Sequence, residues 1–447
     1  MRSMTSFVCQ ECGYDTPEWL GRCPECGMWN TLKEIKDQRS KIKDLGIAKS
    51  IDIKPKTLDE IKYTEKNRMS TGFSEFDTVL GGGIVPGSVI LLAGDPGIGK
   101  STLLLQLGLN ISSSNKVVDI PKVLYISSEE SEEQIKLRAK RIIKDHPANG
   151  GTNFLVLSIT DSDAIAQIVA DTKPKLVIID SIQTVESENL TGLSGSVGQV
   201  RYAASLFIKL AKSLQIPVII VGHVTKEGMV AGPMILSHMV DCVLFLEGEK
   251  YTHTRILRNL KNRYGPVDEI GLFEMKEEGM SEVKQTEHIF ITETQKKTPG
   301  TCLSVTLEGT RSFLVEIQAL VLFSKLPFPR RVTAGIDTKR LELLLAVLQK
   351  SCRLAFDTTD VFVNVTGGLK LSDPACDLGI CLSLFSSLKN IYLNRTVAIA
   401  EVGLLGELRE VPFLDKRIKE AKKLGFRNIV TAKTHSTLNE AIGAFGK

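Results

Sequence analysis

The amino-acid sequence predicts an α/β protein with a small cysteine-rich module, a nucleotide-binding core built on a parallel sheet, and an α+β C-terminal domain. Four cysteines lie close together between Cys9 and Cys26. A glycine-rich loop ending in Lys100 and Ser101 follows an apolar run, and the residues after Glu293 lose the strand–helix alternation of the middle segment. At 447 residues the chain has room for roughly two to four domains.

The overall composition is that of an ordinary globular protein. Hydrophobic residues make up 43% of the chain and charged residues 24%, which argues against disorder or a fibrous repeat. A net charge of +4 is too small to indicate a nucleic-acid partner by itself. The sequence contains no uncharged apolar run of about 18 residues, the length that a membrane span needs. We therefore expect a cytoplasmic protein without a membrane partner.

Residues 1–30 are predicted to form a zinc finger, because the cysteines are arranged as two Cys-x-x-Cys pairs. The pairs are ten residues apart, and glycine follows each one. This spacing lets both sulfur atoms of a pair bind one tetrahedral ion, although a redox pair is the alternative. Four thiolates leave no open coordination position, which indicates a structural ion. The predicted zinc ligands are Cys9, Cys12, Cys23 and Cys26.

Residues 31–66 form a lysine-rich stretch without hydrophobic periodicity. A solvated tether and a nucleic-acid-binding arm are equally consistent with this composition. We interpret the stretch as a basic linker between the zinc finger and a core at residues 67–285.

The core at residues 67–285 is predicted from short apolar runs that alternate with amphipathic ones. Buried parallel strands are typically continuous runs of Val, Ile and Leu, as at residues 176–179. The predicted strands are Ser88–Ala93, Lys122–Ser127, Phe154–Ser158, Leu176–Asp180, Pro217–Gly222 and Asp241–Glu247. The predicted helices are Thr102–Ile111, Glu132–Asp145 and Val197–Leu214.

The loop after the first predicted strand matches the phosphate-binding pattern G-x-x-x-x-G-K-S. Its backbone N–H groups and the following helix N-terminus favour phosphate, and Lys100 neutralises the outer phosphates. The Ser101 hydroxyl is the expected Mg²⁺ ligand, so ATP and Mg²⁺ are the predicted cofactors. The predicted nucleotide-binding residues are Gly94, Asp95, Pro96, Gly97, Ile98, Gly99, Lys100, Ser101 and Thr102.

Polar residues at the ends of three other predicted strands complete this site. Asp180 is the expected second Mg²⁺ ligand, and Glu129 is the expected base that orients the attacking water. Chemically equivalent candidates for the base are Glu130, Glu132 and Glu133. His223 follows a third strand, where it either senses the terminal phosphate or is an ordinary structural histidine.

Two loops rich in glycine and serine, at residues 186–198 and 225–233, leave the same predicted edge of the sheet. Ligands bind at this edge in parallel α/β folds. The loops are either plain surface loops or DNA contacts, with Lys226 placed against the phosphate backbone.

Residues 293–447 are predicted to form a separate α+β domain. The alternation at Val361–Val365 indicates a half-buried strand, and Pro374–Leu388 and Arg417–Leu424 are predicted helices. The single cysteines are predicted to be buried, reduced thiols. They are Cys242, Cys302, Cys352, Cys376 and Cys381.

The order of these motifs resembles the bacterial RadA family of DNA repair proteins, also called Sms. The four-cysteine module and the phosphate loop precede His223-Val-Thr-Lys-Glu-Gly228 and Lys261-Asn-Arg-Tyr-Gly265. The last motif is the most specific, although the family usually has Phe at the position of Tyr264. The resemblance extends over the full length and implies a RecA-like ATPase core.

The resemblance also implies a DNA-dependent ATPase and DNA translocase or helicase that assembles as a hexameric ring. Such a ring acts on single-stranded and branched DNA in recombinational repair, promoting RecA-mediated strand exchange and branch migration. RecA recombinase and the replicative helicase are the implied protein partners. Glu129 and His223 keep the roles given above, and Lys261 and Arg263 act across a subunit interface on the neighbour's nucleotide or on DNA. An arginine delivered from a neighbour can stabilise transition-state charge.

Residues 293–447 resemble the proteolytic domain of Lon, which uses a Ser–Lys dyad. Asp377 stands at the place of the serine and Asp415 near the place of the lysine. Neither residue can act as the nucleophile or base, and Cys376, a lone thiol beside apolar residues, is typical of packing. We therefore expect a protease-inactive scaffold for ring assembly.

Two other functions remain open on the sequence. An ATP-dependent Lon-type protease fits the order of the domains and conflicts with Asp377 and Asp415. A nucleotide-switched DNA-binding adaptor would need ATP binding alone, so Lys100→Ala and Glu129→Gln would behave alike.

Overall fold

In the computed structural model the chain divides into two compact units, residues 1–282 and residues 283–447. The structure describes residues 6–9, 14–25, 27–35, 57, 68–113, 122–143, 153–190, 192–223, 233–248, 253–283 and 298–445. The predictions for Cys12, Cys26, Lys226 and linker residues 36–56 lie outside the described residues. Within the described ranges, no helix is both long and apolar enough to cross a membrane.

The N-terminal module contains a small antiparallel sheet. Its strands are β1 (Ser6–Cys9), β2 (Asp15–Thr16) and β3 (Leu32–Ile35). They lie in the order β2-β1-β3. Among the described residues, the buried cluster beside the sheet contains only Cys9, Cys23 and Leu32, with Phe7 and Tyr14 packed against it. A core this small needs an additional cross-link, such as a bound metal ion, to be stable.

The central sheet of the first unit has nine strands. They are β4 (Val89–Gly94), β5 (Val123–Ser127), β6 (Phe154–Ser158), β7 (Leu176–Asp180), β8 (Val218–His223), β9 (Cys242–Glu247), β10 (Thr254–Asn262), β11 (Ile270–Lys276) and β12 (Gly279–Glu282). Their order is β12-β11-β10-β9-β4-β8-β7-β5-β6. The strands from β9 to β6 run parallel, and β10, β11 and β12 extend the sheet in antiparallel fashion.

Helices cover both faces of this sheet. They are α1 (Ser74–Leu80), α2 (Lys100–Ser112), α3 (Glu132–Ile143), α4 (Ser162–Thr172), α5 (Val197–Leu214) and α6 (Pro233–Met239). Side chains alternate along a strand, so Ile90 packs with α1, α2 and α3, whereas Leu91 packs with α4, α5 and α6. Burial on both faces explains why these strands are continuously apolar.

The predicted strands of the core are confirmed, and their ends differ from the structure by at most one residue. The helix Val197–Leu214 agrees at both ends, and α2 begins two residues before the predicted Thr102. The sequence did not predict β10–β12, because their exposed and partly exposed residues interrupt the apolar pattern.

The second unit has α+β architecture, as predicted. Its strands are β13 (Thr301–Glu308), β14 (Arg311–Phe323), β15 (Arg331–Ala334), β16 (Thr359–Val365), β17 (Val397–Ile399), β18 (Glu401–Val402), β19 (Leu408–Arg409) and β20 (Ile429–Thr431). The main sheet has the order β15-β16-β14-β13-β17-β20, and β18 and β19 form a separate hairpin. The helices are α7 (Thr338–Cys352), α8 (Asp377–Lys389), α9 (Leu414–Lys423) and α10 (Leu438–Gly443).

Three local predictions for this unit are corrected by the structure. The helix expected from Pro374 starts as a 3₁₀ turn, and regular α-helix begins at Asp377. The last predicted helix begins three residues earlier, at Leu414, because this leucine belongs to the buried face. Of the five single cysteines, Cys352 is only partly buried, since it is the last residue of α7.

Candidate nucleotide-hydrolysis site

The phosphate loop leaves the carboxyl end of β4 and leads directly into α2. Gly94 has φ 152°, and a Cβ atom there would lie 2.3 Å from the Leu246 carbonyl oxygen. Gly99 has φ 112°, and a Cβ atom there would lie 2.4 Å from Cε of Met275. Only glycine combines these backbone angles with such close neighbours. The loop therefore brings its backbone N–H groups and the start of α2 to one place, which suits phosphate.

The Lys100 ammonium lies inside this loop. Its Nζ atom donates to the carbonyl oxygens of Gly94 at 2.7 Å and Asp95 at 2.9 Å, and the residue is 3% exposed. Burial lowers the pKa of Lys100 to about 8, although the carboxylates of Asp180, Asp95 and Glu129 partly oppose this effect. Lys100 is thus a buried cation held among backbone oxygens and faced by carboxylates.

Strand register brings the other predicted residues to the same edge of the sheet. Gly94 on β4 is paired with His223 on β8, and Ser127 on β5 is paired with Asp180 on β7. Because β7 and β8 are also neighbours, the carboxyl ends of all four strands lie side by side. The structure therefore brings Lys100, Asp180, His223 and the residues after β5 together.

Glu129 faces His223 across this edge. Oε1 of Glu129 lies 3.7 Å from Nε2 of His223 and accepts a hydrogen bond from Oγ of Ser181 at 2.5 Å. Burial and the charge of Lys100 lower the pKa of His223, against the opposing effect of Glu129 and Asp180, so the imidazole is neutral at pH 7. Its Nδ1 atom is buried and has no hydrogen-bond partner within the described part of the chain.

The glutamates near Glu129 have other contacts. The carboxylate of Glu130 forms an ion pair with Arg138 on α3, and that of Glu133 accepts from the Ser131 hydroxyl at 2.8 Å. Glu132 is an exposed residue in the first turn of α3. Of these glutamates, Glu129 is the one that lies beside His223 and interacts electrostatically with Lys100.

Asp180 is oriented by a residue that the sequence analysis did not identify. The hydroxyl of Tyr125, a fully buried residue on β5, donates to Oδ2 of Asp180 at 2.6 Å. Burial, followed by the adjacent Asp180 charge, raises the pKa of Tyr125 well above its usual value, so the hydroxyl stays a donor. A tyrosine within a strand of apolar residues looks like core packing, and only the neighbouring strand reveals its partner.

A second unpredicted residue, Arg255 on β10, contacts the phosphate loop. Its Nε atom donates to the carbonyl oxygen of Ile98 at 3.1 Å, and the residue is 7% exposed. Arg255 and Ile98 are far apart in the sequence, so no local motif could have found this contact. The antiparallel part of the sheet thereby helps to hold the phosphate loop.

Lys261 and Arg263 lie beside the amino ends of the parallel strands, whereas the phosphate loop leaves their carboxyl ends. Lys261 on β10 is paired with Val243 near the start of β9, whereas the phosphate loop leaves next to Leu246 at the other end of β9. The separation along the strand is roughly 10–15 Å. The structure therefore does not bring Lys261 or Arg263 to the phosphate loop of the same chain.

Lys261 and Arg263 differ in their surroundings. Nζ of Lys261 donates to the carbonyl oxygens of Ser237 at 2.6 Å and Val240 at 2.9 Å, where it caps the end of α6. Burial lowers the pKa of Lys261, and the charge of Arg263 adds to this effect. The side chain of Arg263 is 56% exposed, and Nη1 lies 3.3 Å from Oδ1 of Asp241. Arg263 is thus the more accessible of the two cations.

The cysteine module contains two similar turns. The N–H of Cys9 donates to the Tyr14 carbonyl at 2.8 Å, and that of Cys23 donates to the Met28 carbonyl at 2.9 Å, so each turn closes five residues on. Cys9 is 0% and Cys23 1% exposed, and they share one small cluster. Two buried thiols that converge from equivalent turns fit tetrahedral zinc. Among the described residues this places two of the four predicted ligands together.

In the second unit, the positions expected for a protease dyad lack a nucleophile. Asp377 is 2% exposed and forms a bidentate ion pair with Arg340. The Asp415 side chain is 93% exposed and lies 3.5 Å from Lys433. Burial raises the pKa of the adjacent Cys376 thiol to about 12, so this thiol is unreactive.

Comparison with known proteins agrees with the separation of a cysteine module from a nucleotide-binding core. A family model described as an AAA domain matches residues 55–229, and a model described as a rubredoxin metal binding domain matches residues 7–34. A solved structure, the RadB recombinase, is 24% identical and has a TM-score of 0.37, covering 48% of this chain and 99% of that one. A likeness this distant does not bear on function.

The fold and the site define a P-loop ATPase with a RecA-like core and an N-terminal zinc ribbon. DNA repair protein RadA of Halalkalibacterium halodurans is 44% identical over 439 residues, covering 96% of this chain and 92% of the relative. The Bacillus subtilis protein of the same name is 44% identical over 433 residues, with the same coverage. The Listeria monocytogenes protein is 42% identical over 432 residues. The chain belongs to the RadA family of DNA repair proteins.

Proposed function

We propose that this protein is a DNA-dependent ATPase that moves on DNA as a translocase or helicase in recombinational repair. The observation that carries the proposal is a hydrogen-bonded path from the nucleotide site to a predicted DNA loop. Nε2 of Gln183 donates to the His223 carbonyl at 3.3 Å, and the Gln183 carbonyl accepts from the Ser194 hydroxyl at 3.3 Å. Ser194 lies in the loop at residues 186–198, so a shift of His223 is transmitted to that loop.

The hydrolysis site supports defined roles for its residues. Lys100 neutralises phosphate charge, and Ser101 and Asp180 hold Mg²⁺, which supplies further neutralisation of that charge. Glu129 accepts a proton from the attacking water, with Ser181 fixing one carboxylate oxygen. His223 is neutral and faces Glu129, which suits a residue that detects the terminal phosphate by hydrogen bonding rather than by charge.

Arg263 acts on the nucleotide of a neighbouring subunit in this proposal. Within one chain it lies at the wrong edge of the sheet for its own phosphate loop, and most of its side chain is exposed. An arginine that completes a neighbour's ATP site requires head-to-tail interfaces, which either close into a ring or extend as a filament, and a hexameric ring is the form proposed here. Lys261 supports the end of α6. This helix begins directly after residues 224–232, which include the proposed DNA contact Lys226.

The remaining parts of the chain have supporting roles in this proposal. Cys9, Cys12, Cys23 and Cys26 bind a structural zinc ion, and the second unit is a Lon-like scaffold for ring assembly and is inactive as a protease. The relatives are named as DNA repair proteins, and the proposed setting is RecA-mediated strand exchange and branch migration. Single-stranded and branched DNA, RecA recombinase and the replicative helicase are the proposed partners.

ATP hydrolysis with and without single-stranded DNA tests this function, using wild type and Arg263→Ala in parallel. We expect DNA to stimulate the wild type and to leave Arg263→Ala near its low basal rate. DNA binding should weaken as salt rises, because phosphate neutralisation releases counterions. A wild-type rate that is the same with and without DNA would refute the motor.

A further inference from the structure

Asp241, the residue immediately before β9, links the strand of the phosphate loop to Arg263. Its side chain is 4% exposed, and Oδ2 accepts from the backbone N–H of Val89, the first residue of β4, at 3.0 Å. Oδ1 lies 3.3 Å from Nη1 of Arg263, and the Asp241 carbonyl accepts from the Arg263 N–H at 3.1 Å. Asp241 therefore holds both the backbone and the side chain of Arg263 against the central strand.

The same carboxylate has a second, closer cation. Nζ of Lys212 on α5 lies 2.5 Å from Oδ2 of Asp241 and also donates to the Tyr264 hydroxyl at 3.0 Å. The Tyr264 carbonyl in turn accepts from Arg68 at 2.6 Å. Lys212 is thus held by a short hydrogen bond to the carboxylate and by a second one to the Tyr264 hydroxyl, whereas the Arg263 side chain has one longer contact with the carboxylate.

This asymmetry decides which cation is able to leave. A buried carboxylate that loses its only cation is strongly destabilised. Here Lys212 remains beside Asp241 when Arg263 turns outward, so the carboxylate keeps a counter-ion. The guanidinium has five N–H donors, and its exposed part is available for a phosphate from another molecule.

We propose that Asp241 is a positioning residue for Arg263, and that Lys212 is the resident counter-ion that allows Arg263 to reach the neighbouring subunit's nucleotide. The inference rests on the proposed action of Arg263 across a subunit interface. It predicts that variants of Asp241 and Lys212 fail to supply Arg263 to the ATP site of the neighbouring subunit, while their own ATP sites remain competent.

Mixed rings distinguish this role from a general structural one. Lys100→Ala subunits cannot hydrolyse ATP but carry an intact Arg263, whereas Asp241→Asn subunits have an intact phosphate loop. We expect Asp241→Asn alone to lose about tenfold or more of the DNA-stimulated rate. Co-assembly of the two variants at equal amounts should restore about a quarter of wild-type turnover, since one interface in four then pairs a good site with a good arginine.

Two further mixtures complete the test. Arg263→Ala mixed with Lys100→Ala must recover to the same extent, and its failure would refute action across the interface itself. If that pair recovers while Asp241→Asn with Lys100→Ala does not, the positioning role is refuted and the proposed function stands. Lys212→Met should have the same turnover as Asp241→Asn, both alone and in mixed rings. It replaces Asp241→Asn in these experiments if that variant does not fold. Wild-type turnover in Lys212→Met would refute the counter-ion role.

A matched control is Glu274→Gln, which removes the charge of another acid on the same sheet, 3.2 Å from Lys276. It should keep wild-type turnover in every mixture. A loss in Glu274→Gln as large as that in Asp241→Asn would show that any ion pair of this sheet has the same effect, against the inference.

Discussion

Oε1 of Glu129 lies 3.7 Å from Nε2 of His223, so the proposed base and the proposed phosphate sensor face each other at the ends of different strands. The two residues are 94 positions apart in the chain. Their proximity follows from the sheet order, in which β8, β7 and β5 are successive neighbours. We therefore expect a change in the position of His223 to affect the carboxylate of the proposed base.

Glu129→Gln should abolish hydrolysis while ATP binding remains. The amide keeps the shape of the carboxylate and cannot take a proton, so we expect the turnover rate to fall by about 10²- to 10⁴-fold. Steady-state hydrolysis and equilibrium ATP binding are the two measurements. The matched control is Glu132→Gln in the exposed first turn of α3, which should retain the wild-type rate. Equal losses in both variants would count against Glu129 as the base.

Tyr125→Phe should weaken the proposed Mg²⁺ site, because Asp180 loses the hydroxyl that orients it. We expect the Mg²⁺ concentration for half-maximal hydrolysis to rise, and the free energy of unfolding to fall by about 1–3 kcal/mol. Tyr202→Phe is a matched control. The Tyr202 hydroxyl also donates to a carboxylate, Oδ1 of Asp163, at a distance of 3.1 Å, but this pair does not belong to the proposed Mg²⁺ site. If both variants shift the Mg²⁺ requirement equally, Tyr125 has no special connection to the metal.

ATP affinity should decrease as the pH rises above about 8, where Lys100 loses its proton. Burial lowers the folded-state pKa of this lysine from 10.5 to about 8, so Lys100 becomes uncharged in the nucleotide-free folded protein above that pH, whereas it stays protonated in the unfolded chain. The same linkage makes Lys100 favour the folded state more as the pH rises from about 8 to 10.5. ATP titrations between pH 7 and pH 9.5 should show a loss of affinity of about thirtyfold. Adenosine, which lacks phosphates, should show no such loss.

Removal of zinc should unfold the N-terminal module and leave basal hydrolysis intact. The chain has only two tryptophans, Trp19 and Trp29, and both lie in this module, so tryptophan fluorescence reports on it alone. Chelation, or Cys9→Ser, should lower the tryptophan anisotropy, because this small core depends on the ion. Unchanged anisotropy after metal removal would contradict a structural role for zinc.

The parallel core could be predicted from the sequence because its strands are buried on both faces. Leu176–Ile179 is an unbroken apolar run, and the bounds of the predicted strand Leu176–Asp180 agree with the structure. The antiparallel strands β10–β12 were missed, since their mixed pattern reflects one partly exposed edge. Tyr125 and Arg255 were missed for a different reason: each acts through a partner on a strand or loop far away in the chain.

The phosphate loop, the cysteine pairs and the parallel strands can be read from the sequence, because each depends on local spacing or on a continuous apolar pattern. Which residues share an edge of the sheet becomes visible only in the folded chain. Folding places Glu129, Asp180 and His223 beside the phosphate loop and puts Arg263 at the opposite edge, next to Asp241. The physical reason is that strand order and register are set by packing between distant segments, which local sequence does not encode.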